Sequence, residues 1–221
     1  MKNELLLGCG HTRTKKMGWP ARDWLKECPN YENLYTLDNN PDCKPDLLCD
    51  LSTGYMTLNG NIWYCDDYTG RGYAAIERFD NAAKPKLLKE NFFHEIHAYE
   101  VLEHLGRQGD ALSFFNTFFN LHRLLVDGGM VFATCPSRFS GWLWGDPGHT
   151  RAIIPESLSF LDQTVYEECG RTTRSDYRSI WKGDFKCLLS SDADKSTHVF
   201  ILQAVKPARF VQTHGEKQGL I

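Results

Sequence analysis

The sequence predicts a doubly wound α/β fold on a mostly parallel sheet, and three observations predict it. Short apolar runs in the first part of the chain each end at a glycine or an acidic residue. Helix signals and amphipathic stretches alternate with such runs, as in α/β proteins. The segment 185–205 instead holds two apolar runs joined by a polar turn, which indicates an antiparallel pair of strands at the C-terminus.

Length and composition bound the possible classes of protein. The 221 residues fit one domain, expected over 1–206 with a tail at 207–221. A net charge of −3 supplies no general basic field for nucleic acid. No signal sequence or membrane-length apolar run occurs, so we expect a cytoplasmic protein without a membrane partner. The eight cysteines include no C-x-x-C pair, and no metal centre is expected. The oligomeric state stays open.

The first strand is predicted at Glu4–Leu7 and runs directly into Gly8-Cys9-Gly10. Glycine at this place permits a tight turn and lets backbone N–H groups approach a ligand. Pro20 suits the first turn of the helix that would follow. Two glycines alone are equally compatible with a plain structural turn.

The next two predicted strands both end at an aspartate. Asn33–Leu37 leads to Asp38, and Asp46–Cys49 leads to Asp50. A carboxylate after the second strand can accept hydrogen bonds from ribose hydroxyls. One after the third could accept from an adenine amine while Leu51 packs on the ring. Each aspartate alone could also be a turn or helix cap, but their placement at successive strand ends favours a ligand.

The middle of the chain contains an insertion after the third strand. Residues 55–92 show no clear periodicity and are expected to form loops with one helix, either a lid or an interface. After them, a fourth strand from about His94 to Tyr99 ends at Glu100. This places another acid at a strand end.

The remaining elements complete the α/β pattern. The segment 109–129 predicts an amphipathic helix that closes at Asp127-Gly128-Gly129, followed by a buried strand at Met130–Cys135. Pro155 starts a helix expected to reach Cys169. The two C-terminal strands are predicted at Phe185–Leu189 and Thr197–Val205.

Five motifs, in order LLLGCG, LYTLDNN, DLLCDL, EIHAYEVLEHL and LHRLLVDGGMVFATCPS, resemble class I S-adenosylmethionine-dependent methyltransferases over about residues 4–135. The resemblance implies a Rossmann-like sheet, S-adenosyl-L-methionine as cofactor and methyl transfer as activity. It implies these cofactor contacts: Gly8, Cys9 and Gly10 at the methionine part, Asp38 and Asn39 at the ribose, Asp50 and Leu51 at the adenine, and Tyr99 and Glu100 beside the methyl group.

The chain departs from this family at the glycine turn. Leu6 and Thr12 stand where the family commonly has an acid and a third glycine. A cofactor-binding partner subunit without transfer activity therefore stays an alternative. A nicotinamide-dependent oxidoreductase is disfavoured, because Arg13 occupies the third glycine of G-x-G-x-x-G and Asp38 comes later than the roughly 20 residues that this motif expects.

The loop 137–151 is expected to close over the methyl acceptor and to carry the catalytic residues. It follows the fifth strand and combines glycines and tryptophans with Asp146, His149 and Arg151. The candidates for a general base are His149, Asp146 and, before this loop, His104, which is expected to cap or pack instead; His149 is preferred. Arg151 could hold an anionic or carbonyl group of the acceptor. The same residues could equally form a hydrogen-bonded loop over the sheet edge.

The sequence favours a small-molecule acceptor. The Asp/Asn-Pro-Pro-aromatic motif of enzymes that methylate DNA amino groups is absent, as is a Pro-Cys nucleophile for cytosine carbon. A modest basic cluster keeps a nucleic-acid methyltransferase as an alternative. Its members are Arg171, Arg174, Arg178 and Lys182.

Overall fold

The computed structural model describes residues 1–17, 30–52 and 86–209, together with short strand segments between 52 and 86. The strands are β1 (Asn3–Leu7), β2 (Asn33–Asp38), β3 (Leu47–Leu48), β4 (Tyr55–Thr57), β5 (Gly60–Ile62), β6 (Tyr64–Asp67), β7 (Ala75–Ile76), β8 (Lys86–Leu88), β9 (Phe93–Tyr99), β10 (Leu125–Pro136), β11 (Phe185–Ser191) and β12 (Thr197–Ala204). The helices are α1 (Ala111–Leu124), α2 (Trp142–Gly145) and α3 (Pro155–Leu158).

The described strands form a large mixed sheet with the order β11-β12-β10-β9-β1-β2-β3-β6-β8-β7. The five central strands, β10 to β3 in this order, are parallel. β12 runs antiparallel to both β10 and β11. The strand order reverses beside β1, which is flanked by β2 and β9, as in a doubly wound Rossmann-like sheet. The predicted fold class, with its antiparallel C-terminal pair, is confirmed.

Both faces of the sheet are covered by apolar cores, because successive side chains of a strand point to opposite faces. Leu5 and Leu7 belong to the larger core, together with Phe118 of α1. Leu6 belongs to a second core that includes Phe132. Truncating a fully buried phenylalanine such as Phe118 costs about 3–5 kcal/mol in typical cores.

The insertion differs from its prediction. Its described segments are the strands β4 to β8 rather than loops and a helix. β6 pairs antiparallel with β3, and β8 and β7 continue the same sheet outward. These strands are two to four residues long, too short to impose a periodicity that a sequence pattern would reveal.

The helix expected from Pro155 to Cys169 is broken. α3 ends at Leu158 and is followed by 3₁₀ turns at Ser159–Leu161 and Gln163–Glu168. Asp162 has an extended backbone, and its carboxylate accepts a hydrogen bond from the Thr164 N–H at 2.9 Å. This local cap competes with continuation of the helix.

Helix α1 starts as its sequence predicts and ends earlier. The Asp110 carboxylate accepts a hydrogen bond from the Ser113 N–H at 3.1 Å and caps its N-terminus. The helix ends at Leu124 instead of at Asp127–Gly129, because Leu125 already pairs with β9. Gly128, at φ +73°, lies in a strand irregularity rather than in a helix cap.

Two further expectations concern the edges of the described chain. The helix predicted at Pro20 lies outside the described residues, as do residues 210–221 of the expected tail. The start of that tail is bound, since Arg209 donates to both carboxylate oxygens of Asp184. Every helix within the described ranges is too short or too polar to cross a bilayer.

Candidate functional site

A cavity of about 470 Å³ opens at the carboxyl ends of the parallel strands. Gly8 follows β1, Asp38 ends β2, Asp50 follows β3 and Glu100 follows β9. Since parallel strands end at the same edge, these four positions meet, although they lie far apart in sequence. Six of the predicted cofactor residues line the cavity: Gly8, Asp38, Asn39, Asp50, Leu51 and Glu100.

The glycine turn allows a close backbone approach. Gly8 has φ +56°, and a Cβ atom added to it would lie 2.5 Å from Cγ2 of Val101. Gly10 has φ +51° with open space around the missing Cβ. Gly8 is therefore required for both backbone conformation and space, whereas Gly10 is required for conformation alone.

Asp38 connects the turn to the second strand. Its Oδ2 accepts a hydrogen bond from the Gly10 N–H at 2.9 Å, and its Oδ1 accepts one from the Asn40 N–H at 2.9 Å. The residue is 9% exposed. A carboxylate has about four lone-pair sites, so two remain available for ligand hydroxyls.

Asp50 occupies the neighbouring wall of the cavity. Its Oδ1 accepts hydrogen bonds from the N–H of Ser52 at 2.9 Å and from its hydroxyl at 2.6 Å. The Cys49 N–H donates to the carbonyl oxygen of Asp38 at 2.9 Å, which holds the ends of β2 and β3 together. Both acids therefore keep a defined separation along one wall.

Three predicted cofactor residues do not line the cavity. Cys9 and Tyr99 are buried in the second core, where Tyr99 Oη lies 2.7 Å from His97 Nδ1. Side chains alternate along a strand, so Tyr99 is directed away from the site when Glu100 is directed into it. Burial raises the pKa of the Cys9 thiol to about 11. Gly10 takes part through its hydrogen bond to Asp38.

A second cavity of about 380 Å³ shares two lining residues, Glu100 and His104, with the first. The predicted catalytic residues Asp146 and His149 line it. Trp142 also lines it and is 71% exposed. The loop 137–151 thus forms part of a separate chamber beside the first cavity.

The junction of the two cavities contains a strained residue. Glu100 has φ +56°, a left-handed conformation that non-glycine residues rarely adopt. Its N–H donates to the carbonyl oxygen of Thr134 at 2.9 Å, which helps to hold this conformation. Such strain costs of order 1–3 kcal/mol and is concentrated at functional sites.

His149 is oriented by its backbone partner. Its Nδ1 lies 2.8 Å from the carbonyl oxygen of Trp142, which can only accept, so Nδ1 carries the proton and donates. Nε2 lies 4.0 Å from Oε1 of Glu103 and 3.9 Å from Oδ2 of Asp146. The rings of His149 and His104 meet edge to face at 4.7 Å.

Glu103 was not predicted as a site residue. It is fully buried, and among the described residues neither carboxylate oxygen has a partner with hydrogen-bond geometry. Burial, reinforced by the charge of Glu100, raises the pKa of the Glu103 carboxyl to about 7. In the sequence, the adjacent Glu103 and His104, a few residues after the fourth predicted strand, were the feature that could have indicated a site here.

Arg151 does not line the second cavity, where the predicted acceptor clamp would require it. Its side chain is buried, and Nη2 donates to the carbonyl oxygens of Arg107 and Asp110 and to the hydroxyl of Ser113. The guanidinium also lies over the ring of Phe114 at 5.4 Å. These contacts attach the loop to the segment that leads into α1, and the N-cap itself is the Asp110 carboxylate.

Comparison with solved structures finds weak likenesses. The N-methyltransferase NodS from Bradyrhizobium japonicum, in complex with S-adenosyl-L-homocysteine, is 14% identical, with 92% of this chain and 78% of that chain covered and a TM-score of 0.44. A SAM-dependent methyltransferase from Archaeoglobus fulgidus is 13% identical, with 91% and 86% covered and a TM-score of 0.42. One from Mesorhizobium loti is 11% identical, with 91% and 90% covered and a TM-score of 0.42.

No protein-family model matches the chain, and no curated protein matches it. Function therefore has to be inferred from the residues that line the two cavities.

Proposed function

We propose that the chain is an S-adenosylmethionine-dependent methyltransferase. The observation that carries this proposal is the pairing of the two cavities, which share Glu100 and His104. The first cavity combines a glycine cradle with two carboxylates, and the second holds polar groups on a separate loop. The volume of the first cavity, about 470 Å³, falls in the usual range for small-molecule sites, roughly 300–1,000 Å³.

The residues of the first cavity fit the cofactor by chemistry. A Cβ at Gly8 would collide with Val101, so the chain keeps backbone exposed where the methionine part would bind. Asp38 retains acceptor capacity for the ribose hydroxyls. Asp50 can accept from the adenine amine, and Leu51 offers apolar contact to the ring.

When bound, the cofactor supplies an activated methyl group: the acceptor's lone pair forms the bond to the methyl carbon while the carbon–sulfur bond breaks and its electron pair stays on sulfur. The chain has to place the acceptor and take its proton. Asp146 and His149 both line the second cavity, the acceptor cavity of this proposal, with Oδ2 and Nε2 3.9 Å apart, so either group could take the proton of an acceptor bound there.

A small molecule is the favoured acceptor class. The second cavity holds about 380 Å³, and the exposed face of Trp142 could support an apolar or planar group. Part of the basic cluster is neutralised, which weakens the nucleic-acid alternative. Arg174 pairs with Glu168 at 2.9 Å, and Arg178 pairs with Asp176 at 2.7 Å.

Calorimetric titration with S-adenosylhomocysteine tests the cofactor. We expect one binding site, weakened at least about tenfold in Asp50→Asn, which removes the negative charge and one of the two acceptor oxygens that would face the adenine. Glu167→Gln is the matched control, an exposed acid outside both cavities, and should bind like the wild type. The nicotinamide alternative predicts NADH binding instead. Failure of S-adenosylhomocysteine to bind would refute the proposal.

Transfer itself needs a second experiment. Cofactor with a labelled methyl group, incubated with fractionated small molecules, RNA and protein, should label the small-molecule fraction. Label in RNA would favour the nucleic-acid alternative. Cofactor binding with no labelled product in any fraction would favour a non-catalytic partner subunit.

A further inference from the structure

Three potential metal ligands converge where the two cavities meet. Glu103 and His104 lie on the 3₁₀ turn Leu102–His104 after β9, and His149 lies on the loop after β10. One ligand atom from each of the three lies within 4.8 Å of the other two. Two imidazoles and one carboxylate on two different segments form a donor set that leaves coordination positions open.

In both histidines one ring nitrogen is held by a backbone carbonyl, which leaves the other available as a ligand. Nδ1 of His104 lies 3.0 Å from the carbonyl oxygen of Gly148, and Nδ1 of His149 lies 2.8 Å from that of Trp142. A carbonyl only accepts, so in each neutral ring the lone pair is on Nε2. Backbone carbonyls that bind the other ring nitrogen in this way commonly fix the tautomer and orientation of metal-bound histidines.

The carboxylate of Glu103 supplies an independent observation. It is fully buried, and within the described residues neither oxygen has a partner that meets full hydrogen-bond geometry and neither is paired with lysine or arginine. The Cys135 thiol beside it is a weak donor. A buried carboxylate with so little compensation is costly, and a bound cation would offset that cost.

In a second cluster of the same protein, lysine side chains neutralise the buried carboxylates. Glu4, Glu95 and His97 also place ligand atoms within 4.8 Å of one another. There Lys15 Nζ lies 2.6 Å from Glu4 and 3.2 Å from Glu95, and Lys2 Nζ lies 2.9 Å from Glu95. Among the described residues, no lysine or arginine pairs with Glu103, and the His149 ring is the basic group within ion-pair distance of it, at 4.0 Å.

We infer that Glu103, His104 and His149 bind one divalent transition-metal ion of the Mn²⁺ to Zn²⁺ group. Two imidazole ligands favour these ions over Mg²⁺ and Ca²⁺, which prefer oxygen ligands. This conclusion replaces the sequence-based expectation that the chain has no metal centre.

The role of the ion rests on the proposed methyltransferase function, whereas its binding does not. An ion at this place borders the acceptor cavity through His104 and His149. It would hold an acceptor that offers an oxygen atom, such as a hydroxyl or carboxylate group. Asp146, which is outside the ligand set, would then take the proton from a hydroxyl acceptor.

Metal titration of the full chain tests the inference. Protein stripped with a chelator and dialysed is titrated with Zn²⁺, Mn²⁺ and Mg²⁺ by calorimetry, and with Co²⁺ by visible absorption. We expect one Zn²⁺ per chain, bound at least about tenfold more weakly in Glu103→Gln and His149→Asn. Mg²⁺ should bind far more weakly than Zn²⁺.

Two variants keep the test decisive. His104→Asn changes an exposed residue, so it provides a ligand loss with little risk to folding if Glu103→Gln does not fold. His94→Asn is the matched control, because His94 lies at the opposite end of β9 and accepts from the Asn3 N–H through Nδ1, which an asparagine oxygen can replace. It should bind Zn²⁺ like the wild type. Wild-type Zn²⁺ affinity in His104→Asn and His149→Asn would overturn the inference.

S-adenosylhomocysteine binding, measured on the same samples, separates the two proposals. Zn²⁺ binding that depends on the three residues, without cofactor binding, would support the metal site and refute the methyltransferase. Cofactor binding without stoichiometric Zn²⁺ binding would refute the metal site and leave the methyltransferase intact.

Discussion

The backbone N–H of Gly10 donates a hydrogen bond to Oδ2 of Asp38 across 2.9 Å, which joins the turn after β1 to the end of β2. Asp38→Asn should disrupt this connection, because one of the two carboxylate oxygens becomes an amide nitrogen. One of the two hydrogen bonds, from the Gly10 N–H or from the Asn40 N–H, is then lost. We expect S-adenosylhomocysteine affinity to fall at least about tenfold and the free energy of unfolding to fall by about 1–3 kcal/mol. Calorimetry and urea denaturation measure the two effects.

Asp50→Asn serves as the comparison for this prediction. The Asp50 side chain accepts from the N–H and the hydroxyl of Ser52 within one local turn, so the substitution should weaken cofactor binding with a change in unfolding free energy below about 1 kcal/mol. Full cofactor affinity in Asp38→Asn would contradict the assigned position of the ribose.

Substitution by alanine should destabilise the protein by different amounts at the two glycines of the turn, Gly8 and Gly10. Both have left-handed backbone angles, which cost an alanine about 1–2 kcal/mol. Only at Gly8 would the new methyl group also approach Val101, at 2.5 Å. Gly8→Ala should therefore lower the free energy of unfolding more than Gly10→Ala, and adding Val101→Ala should recover part of the Gly8 loss. Equal losses at the two glycines would exclude this close contact.

Arg151 should be a residue of stability rather than of acceptor binding. Arg151→Met removes a charged donor to three oxygen atoms near the start of α1, so the free energy of unfolding should fall by about 1.5–3 kcal/mol. S-adenosylhomocysteine affinity, measured at a temperature where the variant is folded, should stay at the wild-type level. An unchanged free energy of unfolding together with a raised Michaelis constant for an acceptor would instead support a role of Arg151 in acceptor binding.

His122 should make the protein less stable in acid. Its burial and the nearby charge of Lys206 lower its pKa from 6.5 to about 4. Between these values the unfolded chain binds a proton that the folded chain does not, so this contribution is fully present above pH 6.5 and is lost as the pH falls toward 4. The loss approaches about 3 kcal/mol.

Urea denaturation at several pH values between 7 and 4 measures this dependence. His122→Gln keeps a hydrogen-bond donor for the carbonyl oxygen of Val205, which lies 3.2 Å from Nε2, and removes the titration. Its unfolding free energy should decline less steeply with acidification than that of the wild type. Parallel curves would show that His122 is not responsible.

The sequence by itself determined the order of the main strands along the chain and the edge of the sheet at which the candidate site residues meet. Apolar runs predicted β1, β2, β9 and β10. The glycine or acid that ends such a run can be recognised from the adjacent residues alone. Parallel strands share their carboxyl edge, so Gly8, Asp38, Asp50 and Glu100 could be assigned to one cavity without knowledge of any contact. The strands of the insertion were not predictable in this way, because their pairing partners lie outside each short segment.

Only the tertiary structure decided which side chains enter the site. Tyr99 and Glu100 are adjacent, yet one packs in the second core and the other lines both cavities. Arg151, two residues after His149, binds carbonyl oxygens near the start of α1 and does not line the second cavity. Glu103 became a candidate ligand only when the fold buried it beside His149. Such outcomes depend on backbone angles and on packing partners distant in sequence, which local residue patterns do not encode.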